Sequence, residues 1–117
     1  MKQKKTQQGH TAVVTLRNEY HVDREADTFR VWSANRRGAD YGQTVEGKIV
    51  RYLANALQGQ TITVPEAETA LRKSGMKLPY RGGYKLHFFA QDALVVLVAT
   101  GNASHRSVGR GFEYDIA

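Results

Sequence analysis

The stretch YKLHFFAQDALVVLVATG, residues 84–101, decides how this chain is read. Leu86, Phe89 or Ala90, Ala93 or Leu94, and Leu97 or Val98 recur at the three-to-four-residue step of a helix. Residues 94–98, LVVLV, fit a buried strand as well, because a short apolar run carries no period that separates the two. Length favours the helix over residues 84–100. Ala90, Gln91, Asp92 and Ala93 are poor strand residues, and Gly101 stands where a helix C-terminal cap belongs.

Downstream, residues 103–107 and 112–116 each have the length of a strand, and Val108-Gly109-Arg110-Gly111 lies between them. Phe112, Tyr114 and Ile116 alternate, so one face of that last segment seeks burial. A hairpin is therefore expected at 103–116. Gly109-Arg110-Gly111 lacks the following helix and the Lys-Ser/Thr pair of a phosphate-binding loop.

Upstream, Val45, Ile49, Tyr52 or Leu53, and Ala56 or Leu57 predict a helix, with Thr44 as its cap and Gly59 at its end. Residues 60–62 read as a short extended piece. Thr63-Val64-Pro65-Glu66 is a capping box with proline in the first turn, where its missing N–H costs nothing. Val64, Ala67, Ala70 and Leu71 line one face of that second helix, which Ser74-Gly75 ends. Residues 76–83, with Pro79 and two glycines, form a connection.

Nearer the N-terminus, residues 11–20 and 28–34 are rich in β-branched and aromatic side chains and predict a β-hairpin. The charged residues 21–27 are read as its turn and residues 35–43 as a loop. Residues 1–10 are polar and basic and read as a flexible tail.

The size of the chain, 117 residues, predicts one domain. Its hydrophobic content of 41% is above the disordered range. The chain has no cysteine, which excludes disulfides and thiolate metal ligands. No apolar run has the length of a membrane span, and the basic start is not followed by the apolar core of a secretory signal, so no membrane association and a cytoplasmic location are expected. Net charge is +6. Between Arg72 and Phe112 seven Lys and Arg face one acid, Asp92, which puts +6 in that third of the chain. Residues 17–31 carry three Arg against four acids, or −1. A basic C-terminal third points to an anionic partner, nucleic acid first.

Helix, short strand, capped helix, longer helix and two-stranded hairpin, at residues 44–117, resemble a winged helix-turn-helix domain. The likeness rests on the apolar-stepped helix ending at Gly101, on His105-Arg106-Ser107, and on Gly109-Arg110-Gly111 before Phe112, Tyr114 and Ile116. The long 76–83 connection and the hairpin at 11–34 depart from the pattern. The resemblance implies an α+β fold with three helices and a C-terminal wing. It also implies that helix 84–100 enters the major groove of double-stranded DNA. Tyr84, Lys85, Phe88, Gln91 and Asp92 would then face outward, with Gln91 suited to adenine and Phe88 to a thymine methyl. Lys77, Tyr80 and Arg81 would suit phosphates, and His105, Arg106, Ser107 and Arg110 would meet the backbone or the minor groove from the wing.

The four histidines have no metal-ligand spacing, and the acids Asp23, Glu25 and Asp27 are those of an ordinary solvated loop. No nucleophile–base arrangement is legible, so neither an enzyme, a cofactor nor a metal is expected. The leading expectation is a DNA-binding regulator or architectural factor, acting as a homodimer with Trp32 in the dimer surface. Two alternatives stand beside it: a winged-helix module with a protein partner, as an adaptor or a phage- or plasmid-type inhibitor, and an RNA-binding α+β domain. A strand at 94–98 would favour the last.

Overall fold

A computed structural model describes residues 12–34 and 40–117. The chain is α+β: among the described residues there are three helices and two antiparallel sheets. Its elements are β1 (Ala12–Thr15), β2 (Glu19–Glu25), β3 (Thr28–Ala34), β4 (Asp40–Glu46), α1 (Gly47–Ala56), β5 (Thr61–Ile62), α2 (Val64–Lys73), α3 (Gly83–Ala99), β6 (Ala103–Val108) and β7 (Gly111–Ile116). The first sheet runs β1-β2-β3-β4 and the second β5-β7-β6.

The stretch that could be helix or strand is helix throughout, and the strand that would have favoured the RNA reading is not there. Gly101 ends it at φ +82°, and the Asn102 N–H donates to Leu97 O at 2.8 Å. That is the left-handed terminus glycine reaches without a Cβ penalty. Leu86, Phe89, Ala90 and every residue from Asp92 to Leu97 are buried. The reason is position. α3 touches all four strands of the first sheet, α1, α2 and β6, so it has no polar side over most of its length.

Four expectations for the N-terminal half need correction. Residues 11–20 are not one strand: β1 ends at Thr15, residues 16–18 turn the chain, and β1 pairs with β2. Residues 21–27 are no turn: residues 19–25 form β2, and only Ala26 and Asp27 turn the chain. Tyr20 and Val22 face the core while His21 and Asp23 lie on the opposite face, beside Trp32 and Arg30 of β3. Asp23 is nonetheless buried on that face, where it accepts a hydrogen bond from the Trp32 indole N–H. Residues 40–43 belong to strand β4 instead of a loop. The stretch expected as a hairpin thus supplies three strands of a four-stranded sheet. Finally, α1 begins at Gly47 with Glu46 at its N-cap, so Thr44 and Val45 belong to the strand before it and Thr44 caps nothing.

Other local readings hold. The Thr63 N–H donates to Glu66 Oε1 at 2.8 Å, and the capping box is formed. Ala67 and Leu71 are the buried residues of α2, and Gly75 follows its end at φ +77°. β6 and β7 pair from Ala103↔Ile116 to Val108↔Gly111, which leaves Gly109-Arg110 as a two-residue tip. Gly109 has φ +58° and Arg110 does not share it, which suits a turn with glycine at its first central position. The basic tail at 1–10, with its Lys2, Lys4 and Lys5, lies outside the described residues, as do Arg36 and Arg37. No helix among the described residues is long and apolar enough to cross a membrane.

Candidate nucleic-acid interface

The segment from Arg72 to Phe88 contains five Lys or Arg and no acid. It runs from the last turn of α2 through the connection into the first turns of α3. Arg72 is drawn to Glu68 at 3.7 Å, one helical turn back. Lys73, Lys77, Arg81 and Lys85 are exposed, and no ion pair among the described residues engages them. Glycines at 82 and 83 let the backbone open into α3 beside these charges, with φ +71° at Gly83.

Aromatic rings interleave with the cations. Tyr84 is 70% exposed and Phe88 44%, and their rings meet edge to face at 6.4 Å. Tyr80 is half-buried against Phe89 and carries the Lys85 ammonium 5.8 Å above its ring. Lys77, Tyr80, Arg81, Tyr84, Lys85 and Phe88 therefore form one surface. Its positive potential is sequence-independent, the kind that neutralises phosphates.

The rest of the expected helix face is not available in the same way. Asp92 is 1% exposed; its Oδ2 accepts from Gln43 Nε2 of β4 at 3.1 Å, so the outward placement of Asp92 is corrected. Gln91 is half-buried and donates through Nε2 to the Tyr20 hydroxyl at 3.1 Å. Helix α3 thus offers its first two turns, and the first sheet covers the later ones.

On the wing, alternation sends neighbours to opposite faces. His105 turns inward: its Nε2 lies 3.1 Å from Thr15 O of β1 and its ring rests near Phe112 and Tyr114. Arg106 turns outward but spends its guanidinium on its own hairpin, on Asp115 at 2.8 Å and Glu113 at 3.0 Å. Ser107 is exposed. Arg110 stands at the tip, exposed, with no ion pair among the described residues.

No protein-family model, curated protein or solved structure matches this chain. The assignment of the site therefore rests on its own geometry.

That geometry includes a groove of about 590 Å³ between the β1–β2 turn, the start of α2, the exposed start of α3 and the wing. Arg17 and Arg110 stand on its two hairpin tips, Phe88 and Phe112 on its walls, and Gln91 and Tyr20 in its polar part. Its lining includes no carboxylate. Tyr114 also borders it, with its hydroxyl pushed up to about 12 by burial first, then by Tyr20 and Asp92 nearby. Sequence reasoning missed Lys73 of the patch and Arg17, Tyr20 and Phe112 of the groove as site residues. The one local cue was Asn18, a turn former between two β-rich runs, since residues 16–18 form the turn that projects Arg17. The convergence of this turn with the wing has no sequence signal at all.

Two further residues singled out in the sequence are engaged elsewhere. The Trp32 indole N–H donates to Asp23 Oδ2 at 3.0 Å, and its ring stacks on His21 at 4.2 Å. Asp27 holds Arg51 through two hydrogen bonds, at 2.7 and 3.0 Å, and its carboxyl is held below the usual carboxylate range chiefly by them. These side chains have structural partners within the N-terminal half.

Proposed function

We propose that this protein binds nucleic acid, with duplex DNA as its primary ligand, in the manner of a modified winged helix-turn-helix domain. One observation carries the reading: four exposed cations that no ion pair engages among the described residues, Lys73, Lys77, Arg81 and Lys85, are interleaved with Tyr80, Tyr84 and Phe88 in a segment with no acid. The element order α1, β5, α2, α3, β6, β7 with sheet order β5-β7-β6 supports it, because a wing then follows the helix whose start is basic.

The binding mode differs from the one the sequence suggests. Burial of α3 beyond Phe88 excludes docking of its whole length in a groove about 12 Å wide. The connection before α3 and its first two turns would contact phosphates, with Tyr84 and Phe88 at the groove edge. Arg110 would reach the backbone from the wing. Arg106 contributes little, since two carboxylates already neutralise it.

Anisotropy of a labelled duplex, titrated with the full chain at about 50 and 200 mM salt, tests this directly. Affinity should fall steeply with salt, and Arg81→Ala/Lys85→Ala should weaken binding equally for unrelated sequences and reduce the salt slope by about two. Undetectable binding at the lower salt, or affinity indifferent to salt, would overturn the reading.

A further inference from the structure

The groove between the β1–β2 turn and the wing is chemically unlike the basic patch beside it. Its volume of about 590 Å³ is that of a small-molecule site. The patch is an open surface, suited to a backbone. The groove combines two separated cations with aromatic walls and a polar interior.

Charge narrows the occupant first. Arg17 and Arg110 come from hairpins of different sheets, both are exposed, and no ion pair among the described residues engages either. The lining itself holds no carboxylate, and the carboxylates that touch lining residues are already engaged, Glu68 by His87 and Glu66 by the Thr63 N–H, both at 2.8 Å. An anion entering here therefore meets two guanidiniums. Guanidinium is the side-chain group best matched to phosphate oxygens.

Shape and polarity narrow it further. Phe88 is 44% exposed, an unusual state for a phenylalanine beside a core, and Phe112 is half-buried across β7. Aromatic faces exposed in this way accept the face of a planar heterocycle. In the same lining, Gln91 donates to the Tyr20 hydroxyl, and no other hydrogen bond among the described residues takes up the Gln91 side-chain carbonyl or the Tyr20 proton, so both can meet a ligand. A heterocycle with both donors and acceptors on its edge satisfies those groups. A lipid chain or a simple phosphate does not.

We propose that this groove seats a single unstacked nucleotide of a nucleic-acid strand, its base against Phe88 and Phe112 and its phosphate between Arg17 and Arg110. The inference rests on the nucleic-acid reading above and adds a ligand that a fully paired duplex does not offer. Phe88 belongs to both surfaces, so a strand bound along the patch passes the mouth of the groove. An extrahelical base there costs little to present, because it is already unpaired.

The test uses the full chain and three probes: a duplex with one bulged 2-aminopurine nucleotide, the same duplex fully paired, and free 2-aminopurine riboside monophosphate. The bulged duplex should bind about tenfold more tightly than the paired one, with quenching of the 2-aminopurine fluorescence on stacking. Phe112→Leu and Arg17→Gln should each remove most of that preference and leave affinity for the paired duplex within about twofold, since neither residue belongs to the patch. Arg17→Gln lies on an exposed turn and guards against a folding defect in the first variant. Equal affinity for bulged and paired duplexes with unchanged fluorescence would overturn the groove while leaving the duplex reading intact. Binding of the bulged duplex alone would support the groove and overturn the duplex reading. Free monophosphate binding as tightly as the bulged strand would overturn the assignment to a strand.

Discussion

Two hairpin tips with the same number of residues do opposite work in this molecule. At the β2–β3 tip, Ala26-Asp27, the chain is fastened from three sides. Gly47 N–H donates to Asp27 O at 2.7 Å, Arg51 clasps the Asp27 carboxylate, and the Thr28 hydroxyl bonds Glu25 O. At the β6–β7 tip, Gly109-Arg110, the only cation is exposed and the glycine has open space around it. One tip is a joint between the first sheet and α1. The other is a free projection at the mouth of a groove. What distinguishes them is whether a second element lies close enough to claim the side chains.

The strongest way to break the joint is Gly47→Ala. The new Cβ would lie 2.8 Å from the Asp27 carbonyl and closer still to its carboxylate, and backbone cannot swing aside. A loss of about 2 kcal/mol or more is expected from the urea midpoint, the cost of forced overpacking. An unchanged midpoint would mean that the joint is loose.

The root of the wing, by contrast with its tip, should respond to alkali. Tyr114 is buried and its hydroxyl is pushed up to about 12 from 10.0, so the folded chain holds the proton longer than the unfolded one. The stability this supplies is whole below pH 10 and is lost as pH rises towards 12, by on the order of 2 kcal/mol. Denaturant midpoints at pH 9 and pH 11.5 should converge for Tyr114→Phe relative to the unaltered protein. If both proteins lose the same stability over that interval, the buried hydroxyl is not responsible.

The two tips exchange a further test. Gly109→Ala, at φ +58°, should cost about 1 kcal/mol, whereas Ala26→Gly, at φ +53°, should gain several tenths. Thermal melts of the pair would show opposite shifts, and shifts of the same sign would refute the conformations assigned to them. The smallest effect on folding belongs to Arg110→Ala, within about 0.5 kcal/mol, as for an exposed residue that no ion pair engages among the described residues. The same change should weaken nucleic-acid binding, which separates the projection from the joint.

The C-terminal half was legible because its signals are local. Thr63 and Glu66 cap across three residues, Gly101 ends its helix by its own φ, and Phe112, Tyr114 and Ile116 alternate within one strand. The N-terminal half was misread where the deciding partner is distant. Gln43 sits on the inner face of β4, opposite Val31, at a position where alternation calls for an apolar residue. It is tolerated because Asp92, 49 residues away, accepts its hydrogen bond. Likewise the candidate site: Lys77, Arg81 and Lys85 lie close together in sequence and could be named from it, whereas Arg17 and Phe112 meet only across the groove.

By itself, then, the sequence determined the α+β class, the helix over 84–100 within a residue, the capped helix before it, the hairpin after it and the basic character of that third. These follow from period, caps and charge, which act over a few residues. Tertiary structure alone decided that the apolar helix is covered on its outer side by a four-stranded sheet, that Arg106 is neutralised while Arg110 is not, and that two hairpin tips enclose a groove. Each depends on which surfaces a folded chain brings within a few ångströms, and hydrophobic burial, being non-directional, leaves that choice to the packing of the whole.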